Sequence, residues 1–225
     1  MKEQIKPGFF GVNVAADVRR VEFDAKNQQY LHLGKKADVV FFGDSITQLW
    51  ETDLYFNPDC VKINRGINGD TTVYAAKRFD ADVIQIEPES VIILLGINDL
   101  LLTAPDLWNK IPGADAEEIV LRIETNFREM LSKCARKNIK AYVCSVLPQS
   151  LCEPFDRKHF AAYILKINEI LKALCAEYSA EYVDYYSAVA ENDLLPERFT
   201  PDGVHPNAEC YDIMAEILKE KVELL

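Results

Sequence analysis

Five short apolar runs alternate along the chain with longer segments of helical period. The runs are residues 39–42, 61–63, 91–95, 141–146 and 182–183. Around Phe41 and Ile93 successive positions are apolar, which is typical of strands that are covered on both faces of a parallel sheet. We therefore predict that these two strands lie in the centre of a mainly parallel, five-stranded sheet.

The segments of helical period complete the alternation. They are residues 16–33, 71–86, 115–137, 157–178 and 207–224. In the third segment, apolar residues fall at the three- and four-residue spacing of one buried helix face: Ile119, Ile123, Phe127, Met130 and Leu131. Strands that alternate with helices predict βαβ units and an α/β fold.

The pattern is continuous, with no internal repeat and no linker-like stretch rich in Gly, Ser or Pro. We therefore expect one domain over residues 1–225, with residues 1–37 as a helical extension packed on it. The one long irregular segment, residues 100–114, follows the third apolar run. Its Leu101, Leu102 and Trp108 are candidates for a pocket lining, although Trp108 could equally pin the loop onto the core.

Composition and charge exclude some partners. The chain has 225 residues, of which 49% are hydrophobic and 27% charged, as is typical of a globular protein. Its 25 basic and 36 acidic residues give a net charge of −11, which repels phosphate backbones and anionic membranes. Nowhere do 18 apolar residues run together. We expect no nucleic-acid partner and no stable membrane insertion.

The cysteines indicate a reducing compartment. None of the six forms a C-x-x-C pair: Cys60, Cys134, Cys144, Cys152, Cys175 and Cys210. Cys144 lies within an apolar run, and Cys134 and Cys175 lie on apolar helix faces, which is typical of small core residues. The first eight residues lack the apolar stretch of a signal peptide. We expect a cytoplasmic protein with reduced thiols.

A candidate nucleophile follows the first apolar run directly. Gly43 permits a sharp turn, and a helix that begins near Ser45 would direct free backbone N–H groups toward the surroundings of its hydroxyl. Because Asp and Ser are also preferred N-cap residues, Gly43-Asp44-Ser45 alone is equally explained as a capped helix.

A candidate base and its partner lie near the C-terminus. One turn can place the Asp202 carboxylate against Nδ1 of His205 and leave Nε2 free to accept the proton of a serine. The alternative is an ordinary turn at 201–203, with Asp202 or Asn207 capping the last helix. The other two histidines, His32 and His159, lie in helical segments, so His205 is the candidate base of a serine hydrolase.

Two further motifs offer hydrogen-bond donors. Asn98 follows the run 91–95, and its side-chain amide can donate to a tetrahedral oxyanion. Gly69 can contribute its backbone N–H and lets a substrate carbonyl approach closely. Each motif alone is also explained by ordinary turns. Because Ser45, Gly69 and Asn98 follow three successive predicted parallel strands, we expect them at the same edge of one sheet.

Four sequence blocks, in this order, resemble those of the SGNH (GDSL) esterase and lipase superfamily. They are Gly-Asp-Ser at 43–45, Gly-Ile-Asn-Gly-Asp-Thr-Thr at 66–72, Gly-Ile-Asn-Asp at 96–99 and Asp-Gly-Val-His at 202–205. Within that superfamily, residues 37–45 and 64–72 are similar to the catalytic subunits of intracellular platelet-activating-factor acetylhydrolase and their bacterial relatives. Ile46 replaces the leucine of the GDSL block, and its side chain is expected to turn into the core.

The resemblance implies both a fold and roles for individual residues. It implies a flavodoxin-like, three-layer α/β/α fold. Ser45 would be the nucleophile, with Asp202 and His205 as the rest of the triad. The oxyanion hole would consist of the Ser45 and Gly69 N–H groups and the Asn98 side chain. Because homodimers occur among the relatives, the resemblance leaves a homodimer as one alternative for the oligomeric state.

The leading hypothesis is a serine esterase that hydrolyses short acyl esters, most simply acetyl esters, of a sugar or lipid alcohol, without cofactor or metal. A lysophospholipase or thioesterase is an alternative within the same chemistry. A two-metal phosphoesterase would use Asp44, Asp70, Asn98, Asp99 and His205 as ligands, but such sites usually recruit several histidines. A binding module without catalysis is the remaining alternative.

The sequence identifies no substrate-binding residue. Trp50, Phe56 and Tyr74 lie close to the catalytic blocks and suit contact with a sugar or an acyl chain. Their default interpretation is packing in the core.

Overall fold

The computed structural model describes residues 3–12, 14–105, 113–151 and 156–225. Within these residues, five strands form one sheet: β1 (Val39–Gly43), β2 (Lys62–Gly66), β3 (Ser90–Leu94), β4 (Lys140–Cys144) and β5 (Glu181–Val183). The strand order is β2-β1-β3-β4-β5, and all neighbours are parallel. This is the order of a flavodoxin-like, doubly wound fold, and it confirms that β1 and β3 are interior strands.

Five long helices match the five predicted segments, and four short helices of four or five residues occur in the described ranges in addition. They are α1 (Ala15–Leu33), α2 (Ser45–Gln48), α3 (Thr52–Tyr55), α4 (Thr72–Asp82), α5 (Ile97–Leu101), α6 (Ala116–Lys137), α7 (Arg157–Tyr178), α8 (Tyr186–Val189) and α9 (Ala208–Lys221). Short 3-10 turns occur at Ile84–Ile86 and Glu197–Phe199. The helix predicted over residues 71–86 is therefore shorter and ends at Asp82. A separate 3-10 turn follows at Ile84–Ile86, and it ends at Glu87, which has a left-handed backbone (φ 53°).

Both faces of the sheet are covered, as the continuous apolar strands predict. Successive side chains of a strand point to opposite faces. On one face Phe41 packs against Trp50, which stacks on Tyr211 of α9 at a ring separation of 5.2 Å. On the other face Phe42 meets Phe79 of α4 edge to face at 5.0 Å. Helices on both sides of the sheet complete the three-layer α/β/α fold.

Strand β2 extends beyond its predicted apolar run into polar residues. Asn64 stays in the strand because its amide group donates to the carbonyl oxygens of Thr47 (2.7 Å) and Trp50 (3.2 Å). Arg65 is buried and donates to Oδ1 of Asn27 in α1 (2.7 Å). The strand therefore ends at Gly66, where apolar periodicity alone could not place its end.

Helix α1 is joined to this edge of the sheet by polar side chains. Asn27 donates to the carbonyl oxygen of Ala81 in α4 (3.0 Å), and Arg19 donates to the carbonyl oxygen of Gly66 (2.7 Å). The N-terminal helix therefore packs beside the loop that follows β2.

The predicted core positions are buried. The α6 stripe from Ile119 to Leu131 lies inside, and so do Trp50, Phe56 and Ile46. Five of the cysteines are buried free thiols: Cys60, Cys134, Cys144, Cys175 and Cys210. Burial raises the pKa of the Cys144 thiol to about 12, which makes it inert. Cys152 lies outside the described residues.

Candidate active site

Ser45 stands at a tight turn between β1 and α2. A Cβ at Gly43 would lie 2.1 Å from Thr47 Oγ1 and 2.5 Å from the carbonyl oxygen of Leu94, so the turn requires glycine. The Asp44 carboxylate caps α2 by accepting from the Ile46 N–H (2.9 Å), and Ser45 is the first residue of the helix. The N-capped helix and the turn that carries Ser45 are thus the same structure, and Ser45 is only 4% exposed.

The turn at 202–205 carries Asp202 and His205 to this serine, across 160 positions of sequence. His205 Nε2 lies 2.9 Å from Ser45 Oγ, and His205 Nδ1 lies 2.6 Å from Asp202 Oδ2. The other carboxylate oxygen, Oδ1, accepts from the backbone N–H groups of Val204 (3.0 Å) and His205 (2.8 Å). The Ser45, His205 and Asp202 side chains are therefore joined in that order by two hydrogen bonds.

These bonds keep Asp202 ionised. Partial burial raises the pKa of its carboxyl, but hydrogen bonds from the backbone N–H and ring of His205 and from the Val204 N–H outweigh burial and lower the pKa to about 2. Asp202 therefore carries its negative charge beside Nδ1 at neutral pH. Such a carboxylate orients the imidazole and stabilises it when Nε2 gains a proton.

Gly69 and Asn98 lie beyond the carboxyl ends of the strands that flank β1. Gly43 of β1 is in register with Gly66 of β2 and with Leu94 of β3, so the three following loops share one edge of the sheet. Gly69 is exposed and has a left-handed backbone (φ 73°). The Asn98 amide donates one hydrogen to the carbonyl oxygen of Asp70 (3.0 Å), which leaves its second hydrogen for a ligand.

A group of buried carboxyls lies beneath the turn. Burial, together with the charges of neighbouring Asp70 and Asp99, raises the pKa of Asp44 to about 7 despite its bond from the Ile46 N–H. Burial likewise raises the pKa of Asp99 to about 6, although Thr72 donates to both of its oxygens. Asp44 Oδ2 finds no hydrogen-bond partner among the described residues. A protonated Asp44 suits this environment.

This burial predicts a specific dependence of stability on pH. Because the folded-state pKa of Asp44 is raised, its contribution to stability is complete below the unfolded pKa of about 4 and is lost as pH rises through about 7. The isosteric Asp44→Asn variant should lose less stability than the parent between pH 4.5 and 7.5, as measured by urea unfolding. The Asp202 contribution falls outside this window, below about pH 4. Parallel pH profiles for parent and variant would contradict the raised pKa.

The other sequence candidates are placed as follows. Trp50 and Phe56 are core residues, and Tyr74 is half-buried and stacks on Phe10 at 5.7 Å. Leu101 ends α5 and Leu102 is exposed. Trp108 lies outside the described residues. Sequence reasoning missed Arg78, which lies under the site; its only signal was a cation four residues before Asp82 on an otherwise apolar helix face.

The described residues contain neither a metal-binding cluster nor a membrane-spanning helix. No cluster of three or more His, Cys, Asp or Glu side chains in these ranges is arranged to hold a metal ion. No helix in the same part of the chain is long and apolar enough to cross a membrane.

A groove of about 620 Å³ lies beside the turn that carries His205. Asp202 and Gly203 of that turn contribute to its lining. Hydroxyl, amide and carboxylate side chains line it together with leucines and prolines: Ser150, Asn192, Glu197, Thr200, Leu194, Leu195, Pro196 and Pro201. The groove therefore offers a ligand both hydrogen-bonding groups and apolar surface.

The chain is similar to known proteins in both sequence and structure. The model of the GDSL-like lipase/acylhydrolase family matches residues 41–213. A GDSL-like lipase from Bacteroides thetaiotaomicron is 29% identical, with a TM-score of 0.69 over 88% of this chain and 98% of that one. A search of curated proteins finds no match.

More distant structures share the fold. A protein from Streptococcus pneumonia, provisionally described as a platelet activating factor, is 21% identical and superposes with a TM-score of 0.69 over 92% of this chain and 99% of that one. An acetylxylan esterase from Geobacillus stearothermophilus is 19% identical, with a TM-score of 0.66 over 82% of this chain and 93% of that one.

Proposed function

The chain belongs to the GDSL-like lipase/acylhydrolase family, and on that premise we propose that it is a serine esterase that removes short acyl groups, acetyl first among them, from an alcohol. The observation that carries the proposal is the 2.9 Å separation between Ser45 Oγ and His205 Nε2, with Asp202 behind the imidazole. A serine, a base within hydrogen-bond reach and a carboxylate that orients the base are the parts of nucleophilic acyl transfer.

The proposed reaction passes through an acyl-enzyme. Ser45 Oγ attacks the ester carbonyl while His205 Nε2 takes the hydroxyl proton, and a tetrahedral oxyanion forms. When the oxyanion collapses, the bond to the alcohol oxygen breaks, and Nε2 gives its proton to that oxygen. A water molecule then attacks the acyl-serine, again with His205 as base, and releases the carboxylic acid.

We assign the oxyanion hole to the Ser45 and Gly69 N–H groups and the Asn98 amide. The Asn98 side chain is already oriented by the Asp70 carbonyl, so its free N–H needs no reorganisation during the reaction. This preorganisation is what makes such donors effective in catalysis.

Replacement of Asn98 by alanine tests that assignment. We expect kcat for an acetyl ester to fall by about 10² to 10³-fold, because one donor to the oxyanion is lost. Asn126→Ala is the matched control, since the Asn126 amide donates to Thr72 Oγ1 and to no proposed donor. Full activity of the Asn98 variant would remove Asn98 from the oxyanion hole.

For the alcohol, we propose a polar, hydroxylated acceptor such as a sugar. Because His205 protonates the leaving oxygen, the alcohol must lie on the side of the turn at 202–205, beside the groove where Ser150, Asn192 and Thr200 supply hydrogen-bonding groups. The structurally similar acetylxylan esterase has the same kind of substrate in its description, and its variants lacking one serine or one histidine are described as catalytic mutants.

The test is a panel of esters that varies acyl chain and alcohol separately. The p-nitrophenyl acetate, butyrate and octanoate series gives the acyl preference, and acetylated xylose compared with an acetylated lysolipid gives the alcohol preference. The proposal expects kcat/KM to favour acetate and the sugar. Preference for octanoate or for the lysolipid would support the lysophospholipase alternative.

An activity assay with and without a chelator distinguishes the proposed serine esterase from a metal-dependent phosphoesterase. The proposal expects ester hydrolysis to be unchanged after EDTA treatment, because each step uses side chains of the chain itself. Hydrolysis of a phosphoester that EDTA abolishes would instead favour a metal-dependent phosphoesterase. We also infer a reducing, cytoplasmic setting, which is supported by the buried free thiols.

A further inference from the structure

Arg78 is a fully buried arginine with no role in the proposed proton transfers. It lies in the last turns of α4, its side chain is 0% exposed, and its guanidinium carbon sits 4.1 Å from the centre of the Phe42 ring. Burying a guanidinium away from water is costly unless its donors are satisfied. The partners of its N–H groups therefore show what the buried guanidinium holds in place.

The guanidinium contacts two segments of the proposed site at once. Its Nη2 donates to the carbonyl oxygen of Gly43 (3.0 Å), the residue that opens the turn carrying Ser45. Its Nε donates to Asp70 Oδ2 (2.8 Å), in the loop that carries Gly69. The third nitrogen, Nη1, donates to Asp82 Oδ2 (2.9 Å) within α4. One planar group thus spans the end of β1 and the loop after β2.

The same contacts extend to the third proposed donor. The carbonyl oxygen of Asp70 accepts from the Asn98 amide (3.0 Å), so the residue that Arg78 holds also orients Asn98. The Gly43 carbonyl accepts a second bond, from the Ile67 N–H (3.0 Å), at the start of the Gly69 loop. Arg78 is therefore connected to the segments of all three oxyanion donors, Ser45, Gly69 and Asn98.

We propose that Arg78 is a positioning residue that fixes the spacing between the Ser45 turn and the Gly69–Asp70 loop, and with it the geometry of the oxyanion hole. The assignment of this role in catalysis rests on the esterase function proposed above. Geometry matters here because a displacement of about 1 Å in a catalytic group can cost 10²-fold in rate.

The chain offers a matched control in Arg65. This arginine is also buried, with its guanidinium 4.8 Å from the Phe23 ring, and its Nη2 donates to Asn27 Oδ1 (2.7 Å). Its side-chain hydrogen bonds go to Asn27 Oδ1 and the Asn64 carbonyl oxygen, and to none of the three donor segments. A purely structural role for buried arginines predicts the same consequences at both positions.

Lysine is the informative replacement at each position. It keeps the positive charge that Asp70 and Asp82 require, but a single ammonium cannot reproduce the planar fork that reaches Gly43, Asp70 and Asp82 together. For Arg78→Lys we expect kcat for p-nitrophenyl acetate to fall by about 10²-fold. KM should change little, because the donors act mainly in the transition state. Arg65→Lys should keep kcat within about 3-fold of the parent value, even if its thermal midpoint falls by as much as that of Arg78→Lys.

A second readout does not depend on activity. Amide hydrogen exchange, followed by mass spectrometry, should accelerate in peptides covering residues 43–45 and 67–71 in Arg78→Lys and stay unchanged there in Arg65→Lys. If Arg78→Lys does not fold, Asp70→Asn weakens the same link from its other end and should give the same pattern more mildly.

The outcomes separate the two proposals. If exchange in these peptides is equal in the parent and Arg78→Lys, or if both arginine variants lose kcat in proportion to stability, the positioning role is wrong. If the parent shows no Ser45-dependent hydrolysis, the esterase proposal fails, and the exchange data still decide whether Arg78 holds the two segments.

Discussion

Ser45→Ala should lower turnover of p-nitrophenyl acetate by about 10⁴-fold or more, which is the scale of loss when a member of a Ser–His–Asp triad is removed. The reason is that Ser45 Oγ is the only atom proposed to bond covalently to the acyl group. His205→Ala should lose a similar amount, because no base then remains 2.9 Å from that oxygen. The double variant should be no slower than either single one, since the two side chains act as one unit.

Steady-state kinetics on the three variants measures this directly. His159→Ala is the control for the histidine, because His159 is exposed on α7, contacts the Tyr163 ring edge to face at 4.7 Å and has no part in the hydrogen bonds between Ser45, His205 and Asp202. Additive losses in the double variant would mean that Ser45 and His205 contribute independently. Near-parental turnover of Ser45→Ala would remove Ser45 as nucleophile.

Asp202→Asn is expected to reduce kcat by about 10⁴-fold at neutral pH, although it changes a single atom. The carboxylate accepts from His205 Nδ1 at 2.6 Å and so favours the tautomer whose Nε2 can take the serine proton. An asparagine can turn its NH₂ group toward Nδ1, which favours the opposite tautomer and leaves Nε2 protonated. It also removes the charge that stabilises the imidazolium.

The control for this variant is Asp193→Asn, because Asp193 pairs with the Tyr186 hydroxyl (3.2 Å) and not with a histidine. A loss in Asp202→Asn that is matched by a collapse of the thermal midpoint would point to folding rather than to tautomer control. Retained activity in a folded Asp202→Asn would exclude Asp202 from the proposed triad.

The fold was largely predictable from the sequence because each interior strand is apolar on both faces. The runs around Phe41 and Ile93 identify β1 and β3 as central, and the sheet order confirms this. The positions of Ser45, Gly69 and Asn98 follow from the same fact, since parallel strands end at one edge. Family resemblance then supplied the roles, which the variants above are designed to test.

Other features could not be read from periodicity. Strand β2 ends in Asn64 and Arg65, whose polar side chains are stable there only because Thr47, Trp50 and Asn27 supply partners from distant segments. Helices such as α2 and α5 are too short to show a helical period. The link from Arg78 to Gly43 is set by tertiary packing, and a single buried cation in a helix gives no pattern that predicts its partner.

The central claim, that Ser45 is the nucleophile of an acyl-enzyme, is tested most directly by reaction with a fluorophosphonate followed by intact mass and peptide mapping. The account predicts one adduct per chain, located on Ser45, formed rapidly in the parent and absent in Ser45→Ala. A folded parent protein that forms no adduct, or an adduct on another residue that persists in Ser45→Ala, would contradict it.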